Sequence, residues 1–109
     1  MKYFNVESNQ KYRNSKKKFE SYFLSFSEGC RLEIMQMPTV ISSDKESNID
    51  FIGLAHFAVS VASQSKVISL TEALRRDGYD ILSEPRTTGD GYFESVICDP
   101  DGNKIEITT

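Results

Sequence analysis

In this chain of 109 residues, one stretch is spaced as a helix and nearly all other patterned segments alternate as strands. Val67, Leu70 and Leu74 recur three and four apart between Ser63 and Asp77, the spacing of an amphipathic helix. Ser63 or Ser65 is a suitable start, because a hydroxyl accepts from the N–H groups that the first turn leaves unpaired. Gly78 provides the left-handed residue that ends it. A lone helix can cover one face of one sheet. The fold is therefore sheet-dominated, and apolar strand faces beyond that helix need other cover.

Strands are expected at residues 52–61, 79–84, 92–98 and 104–108, with residues 85–91 as a loop rich in turn formers. Asp99-Pro100-Asp101-Gly102-Asn103 predicts a tight turn, since proline presets one φ and glycine or asparagine tolerates a positive one. The order is β-α-β-β-β over residues 51–109. Before it lies a polar linker, residues 42–50. Residues 1–41 give only β-β-β: a short strand at Lys2 to Ser8, a longer one at Phe19 to Phe26, the turn Ser27-Glu28-Gly29-Cys30, then Arg31 to Met37. A leading strand with its crossover helix needs roughly 20 residues, and none precede Met1. The expectation is a first module without its opening strand and helix. Either the sequence starts at an internal methionine of a longer product, or the protein is naturally short.

Alternation sorts the side chains by face. Leu54, His56, Ala58 and Ser60 share one side of their strand, with Ala55, Phe57, Val59 and Val61 on the other. Glu106 stands opposite Ile105 and Ile107, and Glu33 opposite Leu32 and Ile34. His56, the single histidine, and these two carboxylates are donor types that divalent metals accept and groups that move protons. Each also has a plainer reading. His56 can be a satisfied strand residue, Glu33 a partner of Arg31, and Glu106 a neighbour of Lys104 on a solvated face. Phe57, Val59, Val61, Ile105 and Ile107 form a face for the helix. Leu24, Phe26, Leu32 and Ile34 have no helix in sequence, so a second subunit, a swapped element or further sequence must cover them.

A net charge of −3 gives no footprint for nucleic acid. The basic cluster Lys11, Arg13, Lys16, Lys17 and Lys18 reads as a solvated hairpin loop. No run is long enough to span a membrane, and the N-terminus has no signal-peptide core. Cys30 and Cys98 lack CxxC spacing and read as free thiols of a cytoplasmic protein.

GLAHFAVSV paired with CDPDGNKIEI across one helix and a hairpin resembles the vicinal oxygen chelate superfamily, which includes glyoxalase I, bleomycin- and fosfomycin-resistance proteins and extradiol dioxygenases. RLEIMQ resembles the strand that closes the first module of that superfamily. YFLSFSEGCRLEIM and SEPRTTGDGYFESV look like bacterial glyoxalase relatives. The resemblance covers essentially the whole chain. It implies an α+β fold of paired βαβββ modules cupped around a divalent metal, here with an incomplete N-terminal module. By match of position it implies Glu33, His56 and Glu106 as metal ligands. The ligand normally given by the first strand of module one has no counterpart here, and Met1-Lys2-Tyr3-Phe4 resembles the end of the module-one helix.

The implied activity is that of a lactoylglutathione lyase, acting on a hemithioacetal of methylglyoxal with glutathione or another thiol through an enediolate held on the metal. Nickel, zinc, cobalt, manganese and iron all suit such donors. Glu106 is the first choice for the base that moves the carbon-bound proton and Glu33 the second, with Arg86 and Tyr92 as substrate contacts and a homodimer as the assembly. Two alternatives stand beside it. One is a non-catalytic small-molecule binder of the resistance-protein type; the other is an inactive truncated fragment.

Overall fold

Residues 2–42, 50 and 52–109 are described by a computed structural model, in which the chain divides into two units, Met1–Ser43 and Asp44–Thr109. In the first unit, β1 (Val6–Ser8) and β2 (Tyr12–Asn14) lie along the same edge of β3 (Phe19–Phe26), and β4 (Arg31–Gln36) lies along the other. All pairings are antiparallel. Between β1 and β2, Asn9 continues the edge: its Oδ1 accepts from the Phe23 N–H at 2.7 Å while its own N–H donates to the Phe23 carbonyl.

β2 is absent from the sequence reading, which took this basic stretch for loop. Its three residues have no apolar alternation of their own and are ordered by pairing with Phe19, Glu20 and Ser21. Salt bridges point the same way, since Arg13 of β2 and Lys11 just before it both reach Glu20. Only Lys16 to Lys18 remain in the turn, where Lys18 takes a positive φ of 51°. β1 is also shorter than expected, starting at Val6. Val6 and Ser21 are the buried side chains of this unit among the described residues. Leu32 and Ile34 stand exposed, and Leu24 and Phe26 are half-buried.

The second unit forms a four-stranded sheet in the order β5 (His56–Ser60), β8 (Lys104–Thr108), β7 (Phe93–Cys98) and β6 (Ile81–Thr87), with α1 (Gln64–Arg76) against it. β5 and β8 run parallel; the other pairs are antiparallel. Strand β5 is shorter than the predicted 52–61. β6 runs on through Pro85 to Thr87, three residues that the sequence reading assigned to a loop. It can do so because it is the edge of the sheet, where a missing N–H costs no ladder bond. Register shifts along β6 mark the irregularity.

Helix α1 begins as its sequence dictates. Ser63 holds an extended backbone and its hydroxyl accepts from the Lys66 N–H. At the other end Gly78, at φ 87°, donates to the Arg75 carbonyl while the Tyr79 N–H reaches Leu74, the paired bonds that close a helix on a left-handed glycine. Val67, Leu70, Thr71 and Leu74 are its buried face. They lie against β6, β7 and β8, not against β5. This corrects the expectation that the helix would cover Phe57 and Val59, which are only half-buried. The core sits where Val67, Leu70 and Leu74 meet Ile97 and Ile107. Fold class is α+β as expected. Among the described residues no helix is long and apolar enough to cross a membrane.

One polar contact pins the helix to the sheet. The Thr71 hydroxyl lies 2.7 Å from that of Ser95, with both residues fully buried, and also bonds the Val67 carbonyl at 2.7 Å. Thr71→Val keeps the shape but leaves the Ser95 hydroxyl buried without this partner, an expected loss of about 1–3 kcal/mol. Adding Ser95→Ala removes the orphan, so the double variant recovers most of that loss in urea unfolding. Equal stability of the wild type and Thr71→Val sinks the argument.

Candidate functional site

The parallel register sets Lys104 beside His56 and Glu106 beside Ala58, so His56 and Glu106 are diagonal neighbours on one face. They meet. His56 Nε2 lies 3.1 Å from Glu106 Oε1, with the imidazole half-exposed and the carboxylate more enclosed. On the other side of β8, Val96 of β7 pairs with Glu106 and gives the face an apolar floor. The turn that leads into β8 is built on Asp99, whose carboxylate accepts from the Asp101 and Asn103 N–H groups and from the Asn103 side chain, with Gly102 at φ 83°. That turn fixes where β8 begins, and hence which residues face the histidine.

These side chains line an open cavity of about 440 Å³ in the second unit. Its wall combines His56, Glu106, Lys104 and Asp50 with Leu82, Ser83 and Val96. Lys104 Nζ donates to Asp50 Oδ1 at 2.6 Å. That hydrogen bond and the ammonium charge hold the Asp50 carboxyl below the usual carboxylate range. The cavity is therefore lined by an imidazole–carboxylate pair and an ammonium–carboxylate pair. Lys104 and Asp50 were not singled out as site residues from sequence. Lys104 carries a signal, because it shares the Glu106 side of its strand. Asp50 carries none, being a linker residue 54 positions from its partner.

The other sequence candidates lie elsewhere. Arg86 is in β6 rather than a loop, cross-strand from Glu94, and their side chains approach to 3.7 Å. Tyr92 stands exposed before β7, where its carbonyl accepts from the Thr88 N–H and closes the hairpin. Neither lines the cavity. Glu33 is an exposed residue of β4 in the first unit, paired in register with Phe23, over whose ring the Arg31 guanidinium sits at 5.2 Å.

An imidazole nitrogen and a carboxylate oxygen that already touch are a sound pair of donors for a divalent ion of borderline hardness. They amount to two positions of a coordination shell. Within either unit, among the described residues, no three His, Cys, Asp or Glu side chains come together as a metal site.

Comparison with known proteins agrees with this fold. The profile of the Glyoxalase/Bleomycin resistance protein/Dioxygenase superfamily matches residues 1–107. No protein of curated function matches the chain. Among solved structures, a glyoxalase family protein from Enterococcus faecalis is 22% identical with a TM-score of 0.71, over 96% of this chain and 79% of that one. A glyoxylase/bleomycin resistance protein/dioxygenase domain from Frankia is 14% identical with a TM-score of 0.77, over 97% and 79%. Glyoxalase I from Zea mays is 23% identical with a TM-score of 0.72, over 94% of this chain but 35% of that one. At these identities the structural likeness speaks for the fold. With the profile match across nearly its whole length, the chain belongs to the glyoxalase/bleomycin resistance protein/dioxygenase superfamily.

Proposed function

We propose that this chain is a metal-dependent lyase or isomerase of the glyoxalase kind, acting on the hemithioacetal of methylglyoxal with glutathione or another thiol. The observation that carries the reading is the contact of His56 Nε2 with Glu106 Oε1 at the wall of an open cavity. His56 and Glu106 serve as ligands of a divalent ion, and Glu33 belongs to the same donor set. The ion, when bound, polarises the substrate oxygens and so acidifies the neighbouring C–H. Glu106 takes that proton and returns it to the adjacent carbon, as general base and then general acid. Val96 and Leu82 line the same cavity wall and give the substrate's carbon skeleton an apolar surface beside that carboxylate. The chain works as a homodimer, and its two free cysteines suit a reducing compartment such as the cytoplasm.

The alternative is a non-catalytic binder of the bleomycin- or fosfomycin-resistance type, which the limited donor set within the second unit favours. Metal content separates the two. By elemental mass spectrometry the purified chain should carry close to one nickel, zinc, cobalt, manganese or iron per protomer, and His56→Ala should carry almost none. The metal-loaded chain should then turn over methylglyoxal with glutathione. Wild type and His56→Ala equally free of metal would end the lyase reading and leave the binder.

A further inference from the structure

We propose that Lys104 is the anion-recognition residue of this cavity, selecting small substrates that carry a carboxylate, and that Asp50 holds its place until such a substrate arrives. The inference rests on the reading of the cavity as a substrate site and names the class of molecule it takes. Lys104 is the lysine of the wall, directly beside His56 in register and two residues before Glu106 on the same strand face. Its side chain is 17% exposed, so most of it is packed into the wall, and its ammonium takes a counter-charge there. Asp50 supplies one, but from a side chain that is 67% exposed.

The two ends of this ion pair differ in what release costs them. Asp50 swings into solvent and keeps full hydration, whereas Lys104 stays in the wall and must find another anion. A substrate carboxylate meets that need. Residues two apart on a strand stand roughly 7 Å apart, so a carboxylate at Lys104 places the atoms a few bonds away beside Glu106 and His56. Leu82 and Val96 complete the fit by accepting a short hydrocarbon segment between the two polar pairs. Arg86 does not compete for the role, because it is turned to Glu94 and lies outside the wall.

L-lactate and its neutral isostere lactamide test this, titrated into the full chain with binding read by calorimetry and by backbone amide shifts along β8. Lactate should bind about 2- to 5-fold more tightly to Asp50→Asn than to wild type, the gain expected when an exposed ion-pair competitor is removed. Lys104→Met should weaken it about tenfold or more, as loss of a charged hydrogen-bond donor requires, and Lys104→Arg should restore much of it. Lactamide should respond to none of these changes. The idea is overturned if lactate fails to bind wild type, if Lys104→Met binds it normally while still folded by thermal melt, or if Asp50→Asn changes nothing. Metal content measured in parallel keeps the two readings apart. Lys104-dependent lactate binding by a metal-free chain upholds this inference and removes the lyase reading. A metal-loaded chain indifferent to Lys104 does the reverse.

Discussion

Ile107→Ala should destabilise the second unit by about 2–5 kcal/mol, the range for emptying a buried aliphatic site. Ile107 is fully buried near the end of β8, paired with Val59 on one side and Ser95 on the other, in the core it shares with the buried helix residues Val67 and Leu74. Both neighbouring strands fix its backbone, so little collapse can refill the space. Cys98 gives the readout. It is buried at the end of β7, and burial pushes its thiol up, so it stays protonated and unreactive until the core opens. Cys30 is exposed and serves as the internal reference. Under conditions where reclosing outpaces labelling, alkylation of Cys98 follows the open population, and Ile107→Ala should speed it by about 30-fold or more. Labelling of Cys30 should not change. A Cys98 rate within twofold of wild type would mean that Ile107 is not the centre of this core.

What was legible from sequence were the elements whose signals are local. The serine cap, expected at Ser63 or Ser65 and formed by Ser63, the stop at Gly78 and the turn from Asp99 to Asn103 each depend on residues within a few positions of one another, and all three form. What was not legible depends on pairing. β2 exists because β3 lies beside it, and β6 continues through Pro85 because nothing lies on its outer side. Periodicity identified the buried face of α1 but not which strands it would meet, and it chose β6, β7 and β8. The site divides in the same way. Alternation put His56 and Glu106 on polar faces of their own strands, but their contact comes from the parallel register of β5 with β8, which no single-strand pattern contains. Lys104 was read as a companion of Glu106 on a solvated face. Its actual partner is Asp50, far away in sequence, and that pairing turns a charged strand face into a cavity wall.

Glu106→Gln should lower kcat by about 10²- to 10⁴-fold in the metal-loaded chain, the usual contribution of a positioned general base. Glutamine matches the shape of glutamate, so the strand face, its neighbours Val96 and Ala58, and the reach to His56 are all kept. What is lost is basicity. Stability should stay within about 0.5 kcal/mol, because the residue is only partly enclosed and lies outside the apolar core. Metal occupancy should fall as well, since an amide oxygen is a weaker ligand than a carboxylate, so kcat must be read at saturating metal. Glu106→Asp then separates the roles: it retains the base but withdraws it by one methylene, and should keep more activity than Glu106→Gln. Glu33→Gln is the counter-test. If it abolishes turnover while Glu106→Gln at full occupancy does not, the proton is handled by Glu33 and Glu106 is a ligand alone. A Glu106→Gln protein that turns over at the wild-type rate would remove the carboxylate of β8 from the chemistry, and with it the reason for its contact with His56.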